Sequence, residues 1–264
     1  MQSLDAVIHL PTQHPKFCSS RPAEMALHLE SPAVGSRRLS VVVIIVGCAA
    51  YGFTLGMGRA PLMGVYVAIK LPLLILLTLT INALLNGILA QVLGSGLSFR
   101  QTGSAILHSF AIFSLIVGSL SPIAAYLTMN ADFQTKAAQS HAIVLLLHVA
   151  VIAAAGIVAN LRLFAALRLL LPHGEIARNV LLAWLLGNLF VGAQFSYLLR
   201  PFFGQPSLKI EFLRPDALVG NFYNSVWIMS RHFLGASGAI GVLLAGFLIL
   251  LLCIRKQTKP TRNP

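Results

Sequence analysis

Leu71-Pro-Leu-Leu-Ile-Leu-Leu-Thr-Leu-Thr-Ile-Asn-Ala-Leu-Leu-Asn-Gly-Ile-Leu-Ala-Gln-Val-Leu93 decides the fold class of this chain. It holds no charged side chain and exceeds the roughly 20 residues that about 30 Å of hydrocarbon demands at 1.5 Å per helical residue. Read outward from it, apolar runs of similar length predict spans near 41–58, 71–93, 104–128, 142–161, 180–199 and 236–254. With 57% hydrophobic and only 10% charged residues, the chain of 264 lies where polytopic membrane proteins fall. The expected architecture is an all-α integral membrane protein: a six-span helical bundle over 40–254, with an outer interfacial helix between spans five and six.

Before the first run, residues 1–39 mix Pro, Ser, His and scattered charge, and read as a disordered cytoplasmic tail. Arg37-Arg38, the following apolar residues and Gly47-Cys48 imitate a lipoprotein signal, but the basic region ahead of them is too long for one. Pro61 to Lys70, interrupted by Gly64 and ending just before Pro72, reads as a short interfacial elbow feeding the second span. Cys18, Cys48 and Cys253 share no metal-ligand spacing, so neither a disulfide framework nor a metal site is expected.

The excess of 19 Lys and Arg over 7 Asp and Glu would point to nucleic acid in a soluble protein. Here the cations cluster at the ends of apolar runs, which is the signature of membrane topology and anionic lipid. Arg37-Arg38 and Arg255-Lys256 abut the first and last runs, while the connector cations on the opposite side are sparser. Both termini, including the basic tail 255–264, are therefore expected in the cytoplasm, with a bacterial cytoplasmic membrane as the host. The segment 200–234 then faces outside.

The seven carboxylates, Asp5, Glu24, Glu30, Asp132, Glu175, Glu211 and Asp216, all fall in tails or connectors. No predicted span therefore carries an acid able to relay a proton or neutralise a cation, which argues against ion-coupled transport. Gly118-Ser119-Leu120-Ser121 offers serines without a base placed by any motif, and no His-Glu pair has helical ligand spacing. No enzymatic activity, cofactor or metal is expected. His108 and His148 lie within spans, but counted from their inner ends they sit at depths of about 6 and 20 Å, too far apart to share one iron.

By the same count Asn82, Ser114 and Asn188 fall about 16, 15 and 12 Å from the inner boundary, with His148 a turn higher. Four helices thus place polar groups in one midplane layer. Such a layer either binds a small solute or lipid headgroup, as in carriers, or serves as polar glue worth about 0.6 to 2 kcal/mol per contact. Glue is the expectation here, given the missing carboxylates. Gly235-x-x-x-Ala239, Gly241-x-x-x-Ala245, Ala183-x-x-x-Gly187 and Ala153-Ala-Ala-Gly156 mark expected helix-packing faces. Pro122 leaves the Gly118 carbonyl without its amide partner, predicting a local kink with Ser119 and Ser121 at hand to compensate.

Arg200-Pro-Phe-Phe-Gly204, Phe212-Leu-Arg-Pro215 and Asn221-Phe-Tyr-Asn-Ser-Val-Trp227 supply the one polar, aromatic stretch between apolar runs. Proline disfavours helix in the residue before it, so Arg200-Pro201 should end the fifth span. Leu218, Phe222, Val226, Met229 and Phe233 recur at helical spacing with Tyr223 and Trp227 alongside, as in a helix lying among headgroups. Arg200, Pro201, Phe202, Phe203, Arg214, Asn221, Phe222, Tyr223 and Trp227 are the candidate partner or lipid surface.

Leu93-Gly-Ser-Gly-Leu-Ser-Phe-Arg-Gln101, joining one span to a following span with Pro122 in its second half, resembles the connector of bacterial members of the Yip1 superfamily. The likeness covers residues 40 to 130. It implies a small multi-span protein concerned with membrane organisation and not with catalysis. The functional expectation is a non-enzymatic scaffold or accessory subunit working through 200–234, with an uncoupled carrier or channel for a small neutral solute or lipid as the rival. Expected partners are membrane lipids, with other membrane proteins or a second copy as further candidates, and no nucleic acid.

Overall fold

The structure, a computed structural model, describes residue 26 and residues 34–131, 137–202, 209–225 and 227–228. Among the described residues five long helices follow one another: α1 (Val34–Met57), α2 (Pro61–Val92), α3 (Phe99–Met129), α4 (Ala137–Leu170) and α5 (Gly174–Leu198). All five are long and apolar enough to cross a membrane, and no strand occurs among the described residues. The predicted sixth span, 236–254, lies outside them.

Apolar residues cover both the buried and the exposed faces. Val46, Leu84, Leu146 and Leu189 each expose more than 60% of their surface, while Ile44, Val67, Val117 and Ala155 are fully buried. A helix that is hydrophobic all round suits a hydrocarbon surround, because every backbone group is satisfied within the helix and no face seeks water.

α2 departs from the expected elbow. Pro61 sits at the start of one continuous helix that runs through Lys70 and Pro72 to Val92. Proline is pre-organised for a first turn, where its missing N–H has no partner to lose. Within the helix, Pro72 removes a single bond, to the carbonyl of residue 68, and the flanking turns persist. α1 likewise begins at Val34, ahead of the expected boundary near 41. α3 starts at Phe99 on a complete capping box: the Ser98 hydroxyl accepts from the Gln101 N–H, and the Gln101 side chain accepts from the Ser98 N–H. The connector expected over Leu93–Gln101 is thereby shortened to Leu93–Ser98, where Gly94 and Gly96 both adopt positive φ that only glycine takes without strain.

Pro122 lies inside an unbroken α3. The two serines do not compensate it as expected, since Ser119 Oγ donates to Ile116 O and Ser121 Oγ to Val117 O. Each bonds a carbonyl three or four residues back, a partner always within reach on a helix.

α1 packs along both α2 and α3, α4 lies on α3, α5 lies on α2, and α4 and α5 touch only lightly. Glycines set the closeness of the first three helices. A Cβ on Gly52 or Gly56 would stand 2.6 Å from Val67 O or 2.5 Å from Met63 O of α2, and one on Gly118 of α3 would stand 2.8 Å from Gly47 Cα. Backbone meets backbone there, the arrangement that small residues permit between membrane helices. A second core holds Trp184 and Val180 of α5 against Ala90, Ile106, Leu163 and Leu167.

Candidate functional site

At the end of the bundle where α1 stops and α2 starts, hereafter the upper end, the chain after α5 folds back across the helices. Its anchor is Lys70, which is fully buried. The Lys70 Nζ donates to Pro201 O at 2.9 Å and lies 5.1 and 6.0 Å from the ring centres of Phe212 and Phe202. An ammonium among aromatic faces is stabilised by their quadrupoles and loses less on leaving water than one in plain hydrocarbon. Phe212 also meets Tyr66, one turn earlier on α2, edge to face at 5.4 Å.

Arg200 forms the second clasp. Its guanidinium donates to Tyr197 O and to Asp216 Oδ2 at 2.9 and 3.0 Å and stacks 3.7 Å from the Tyr197 ring centre. The Asp216 carboxylate is largely exposed, so this ion pair fixes geometry more than it stabilises. Further along, α5 holds the segment from three positions at helical spacing, Phe190 through its carbonyl and Gln194 and Tyr197 through their side chains. The Tyr223 hydroxyl donates to Phe190 O at 2.7 Å, the Phe222 N–H to Gln194 Oε1 at 3.2 Å, and the Tyr197 hydroxyl to Val219 O at 3.0 Å. Phe190 and Tyr223 stack at 4.9 Å. Desolvation there raises the Tyr223 phenol above its ordinary value.

The helix expected from Leu218 begins later than its apolar spacing predicts. Leu218 belongs to a turn, Gly220 has φ of +81°, and helix starts after Asn221, whose side chain accepts from the Asn224 N–H at 2.8 Å. An Asn that satisfies a first-turn amide, directly after a left-handed glycine, sets the boundary locally. Trp227 is helical and half-buried, and Phe203 lies outside the described residues.

Beneath this segment lies a cavity of about 540 Å³, lined by Leu55, Leu71, Leu74, Ile152, Ser196, Arg200, Pro201, Phe202, Arg214 and Asp216. A second cavity of about 420 Å³ sits deeper, between α2, α3, α4 and α5, where the light contact of α4 with α5 leaves space. Its walls are apolar apart from Thr78, Ser109, Asn160 and Asn188. Leu74 and Ile152 line both cavities and form the partition between them.

The four midplane candidates are distributed over three contacts. Asn188 of α5 accepts from Asn86 Nδ2 of α2 at 3.3 Å, and Asn82, one turn up α2, faces the same helix at Gly187. Ser114 instead meets Cys48 at 3.1 Å between α1 and α3, and donates to Phe110 O. His148 meets the Tyr51 hydroxyl at 2.9 Å through Nδ1, with Thr128 Oγ1 3.5 Å from Nε2. Only Asn82 and Asn188 share a face.

That face is a ladder: Thr78, Asn82 and Asn86 recur every four residues along α2, against Gly187, Asn188 and Gly192 of α5. Trp184 Nε1 seals its lower end by donating to Asn86 O at 2.9 Å. The Thr78 hydroxyl, both amide atoms of Asn82 and the Asn86 Oδ1 are buried without a hydrogen-bond partner. The spacing of these three side chains was available in the sequence, as was Gly52-x-x-x-Gly56. The burial of Lys70 and the Arg200–Asp216 pairing carried no local signal. Among the described residues no three His, Cys, Asp or Glu side chains form a metal-holding group. No family model, curated protein or solved structure matches this chain.

Proposed function

We propose that this chain is a non-enzymatic polytopic membrane protein with both termini in the cytoplasm, acting as a scaffold or accessory subunit through its segment 200–234. The observation that carries this reading is how firmly the described residues of that segment are held. Bonds at Lys70, Gln194, Tyr197 and Tyr223 fix it to α2 and α5 at four points, the Arg200–Asp216 pair closes it on itself, and Leu218, Val219 and Ile228 project outward, exposed by 87, 70 and 59%. A pre-organised surface with projecting apolar side chains loses little ordering entropy on docking, which favours association with a neighbouring protein at the headgroup level. The resemblance of Leu93–Gln101 to a Yip1-superfamily connector and the absence of acids in the predicted spans support the same non-catalytic role. A cysteine-reactive crosslinker placed at Leu218→Cys in native membranes should capture one discrete adduct, and Val219→Asp should abolish it. Diffuse or absent adducts would reject the scaffold reading.

A second reading, an uncoupled carrier for a small neutral solute or lipid, is favoured by one observation, the shared wall of the two cavities at Leu74 and Ile152. It requires water or solute to reach the ladder. Cysteines at Asn82 and Asn188 should then react with small hydrophilic thiol reagents, whereas a purely structural ladder leaves both unmodified.

A further inference from the structure

The upper cavity combines two surfaces that a purely structural role does not need together. Leu55, Leu71, Leu74 and Ile152 make its inner wall apolar, and two arginines with one aspartate stand in its lining. Arg200 is already neutralised, since Asp216 takes its guanidinium at 3.0 Å and the Tyr197 and Asp216 carbonyls also accept from it. Among the described residues the Arg214 side chain makes no hydrogen bond or ion pair, and it is only half-exposed, so the lining carries one uncompensated positive charge beside hydrocarbon walls. Fully buried Lys70, behind Phe202, adds to the positive potential.

We propose that this cavity binds an anionic amphiphile, with a phosphate or carboxylate headgroup at Arg214 and a single hydrocarbon chain laid along Leu71, Leu74 and Ile152 toward the deeper cavity. The chemistry fits each part of the site. A planar guanidinium offers paired donors that match phosphate and carboxylate oxygens, and gains most where low-dielectric walls strengthen the charge. A volume of about 540 Å³ falls within the range of small-molecule sites, and the adjoining space of about 420 Å³ prolongs it in the direction of the hydrocarbon core. A hydrophilic anion would leave the leucine wall facing water. A neutral lipid would leave Arg214 unpaired. The site is independent of the scaffold reading, since it faces into the bundle and not outward from Leu218.

Binding is measured on the full-length protein in phosphatidylcholine nanodiscs, with lysophosphatidylglycerol as the probe, lysophosphatidylcholine as its zwitterionic counterpart and inorganic phosphate as the chainless anion. The wild type should prefer the anionic lysolipid. Arg214→Gln should weaken that lipid about tenfold, the usual effect of losing a charged hydrogen bond, without changing the zwitterionic one. Leu74→Trp, which fills the chain path, should weaken both, and Arg178→Gln, at the opposite end of the bundle, neither. Equal binding of the two lysolipids by wild type, unaltered binding in Arg214→Gln, or displacement by phosphate as readily as by a second lysolipid would each overturn the proposal. A monodisperse elution profile for every variant separates these outcomes from misfolding.

Discussion

A single methyl group distinguishes two kinds of glycine in this chain. Gly52 and Gly118 stand where an added Cβ would meet backbone at 2.6 and 2.8 Å, whereas Gly103 and Gly156 have nothing within 4 Å. Gly52→Ala and Gly118→Ala should therefore lower stability in detergent by about 1–3 kcal/mol, because backbone cannot move aside as a side chain can. Gly103→Ala should raise it by up to about 1 kcal/mol through helix propensity alone. Thermal unfolding in one detergent tests both signs. Tyr223 offers a third case, since its hydroxyl reaches Phe190 O. Tyr223→Phe removes about 1 kcal/mol of hydrogen bonding, and amide exchange over 219–225 should quicken roughly fivefold while α1 to α3 stay unchanged.

At the scale of helices, the contact of α2 with α5 reverses the simple expectation for midplane asparagines. Asn82 has no partner for either amide atom, whereas Asn86 bonds Asn188 and its carbonyl receives Trp184. Asn82→Leu, of similar volume, should leave stability unchanged or increase it, since a buried unpaired amide is costly. Asn188→Leu should lower it by about 1 kcal/mol, leaving the Asn86 amide unpaired as well. Denaturant titration of the two variants separates them. Depth along each span was legible from residue number at a fixed helical rise, but rotation about the axis and the choice of neighbour were not. That is why Asn82 and Asn188 share a face and Ser114 and His148 do not. The elbow at 61–70 failed for a related reason: proline and glycine mark breaks only when flanking turns cannot hold the helix, and here they hold.

For the molecule as a whole, the positive-inside bias predicts which end of the bundle faces outward. Leu218, at the upper end, and His173, in the exposed turn between α4 and α5 at the other end, are both accessible positions. In a cysteine-free background, an impermeant maleimide should label Leu218→Cys in intact cells and spare His173→Cys until the membrane is opened. The reverse pattern would place the clasped segment in the cytoplasm. It would also move the amphiphile site to the inner leaflet.

Apolar run length and charge placement determined, from sequence alone, that this is a chain of long hydrophobic helices with its polar aromatic segment after the fifth. Those properties follow from local composition, because hydrocarbon thickness and backbone hydrogen bonding constrain each span separately. Tertiary structure alone decided that Lys70 is buried under Pro201, that Arg200 is consumed by Asp216 while Arg214 is left over, and that two cavities meet at Leu74 and Ile152. Each depends on which helix faces come together across many residues of intervening chain. That choice is made by close approach at glycines such as Gly52 and Gly118, where packing distance and rotation are set jointly by both partners.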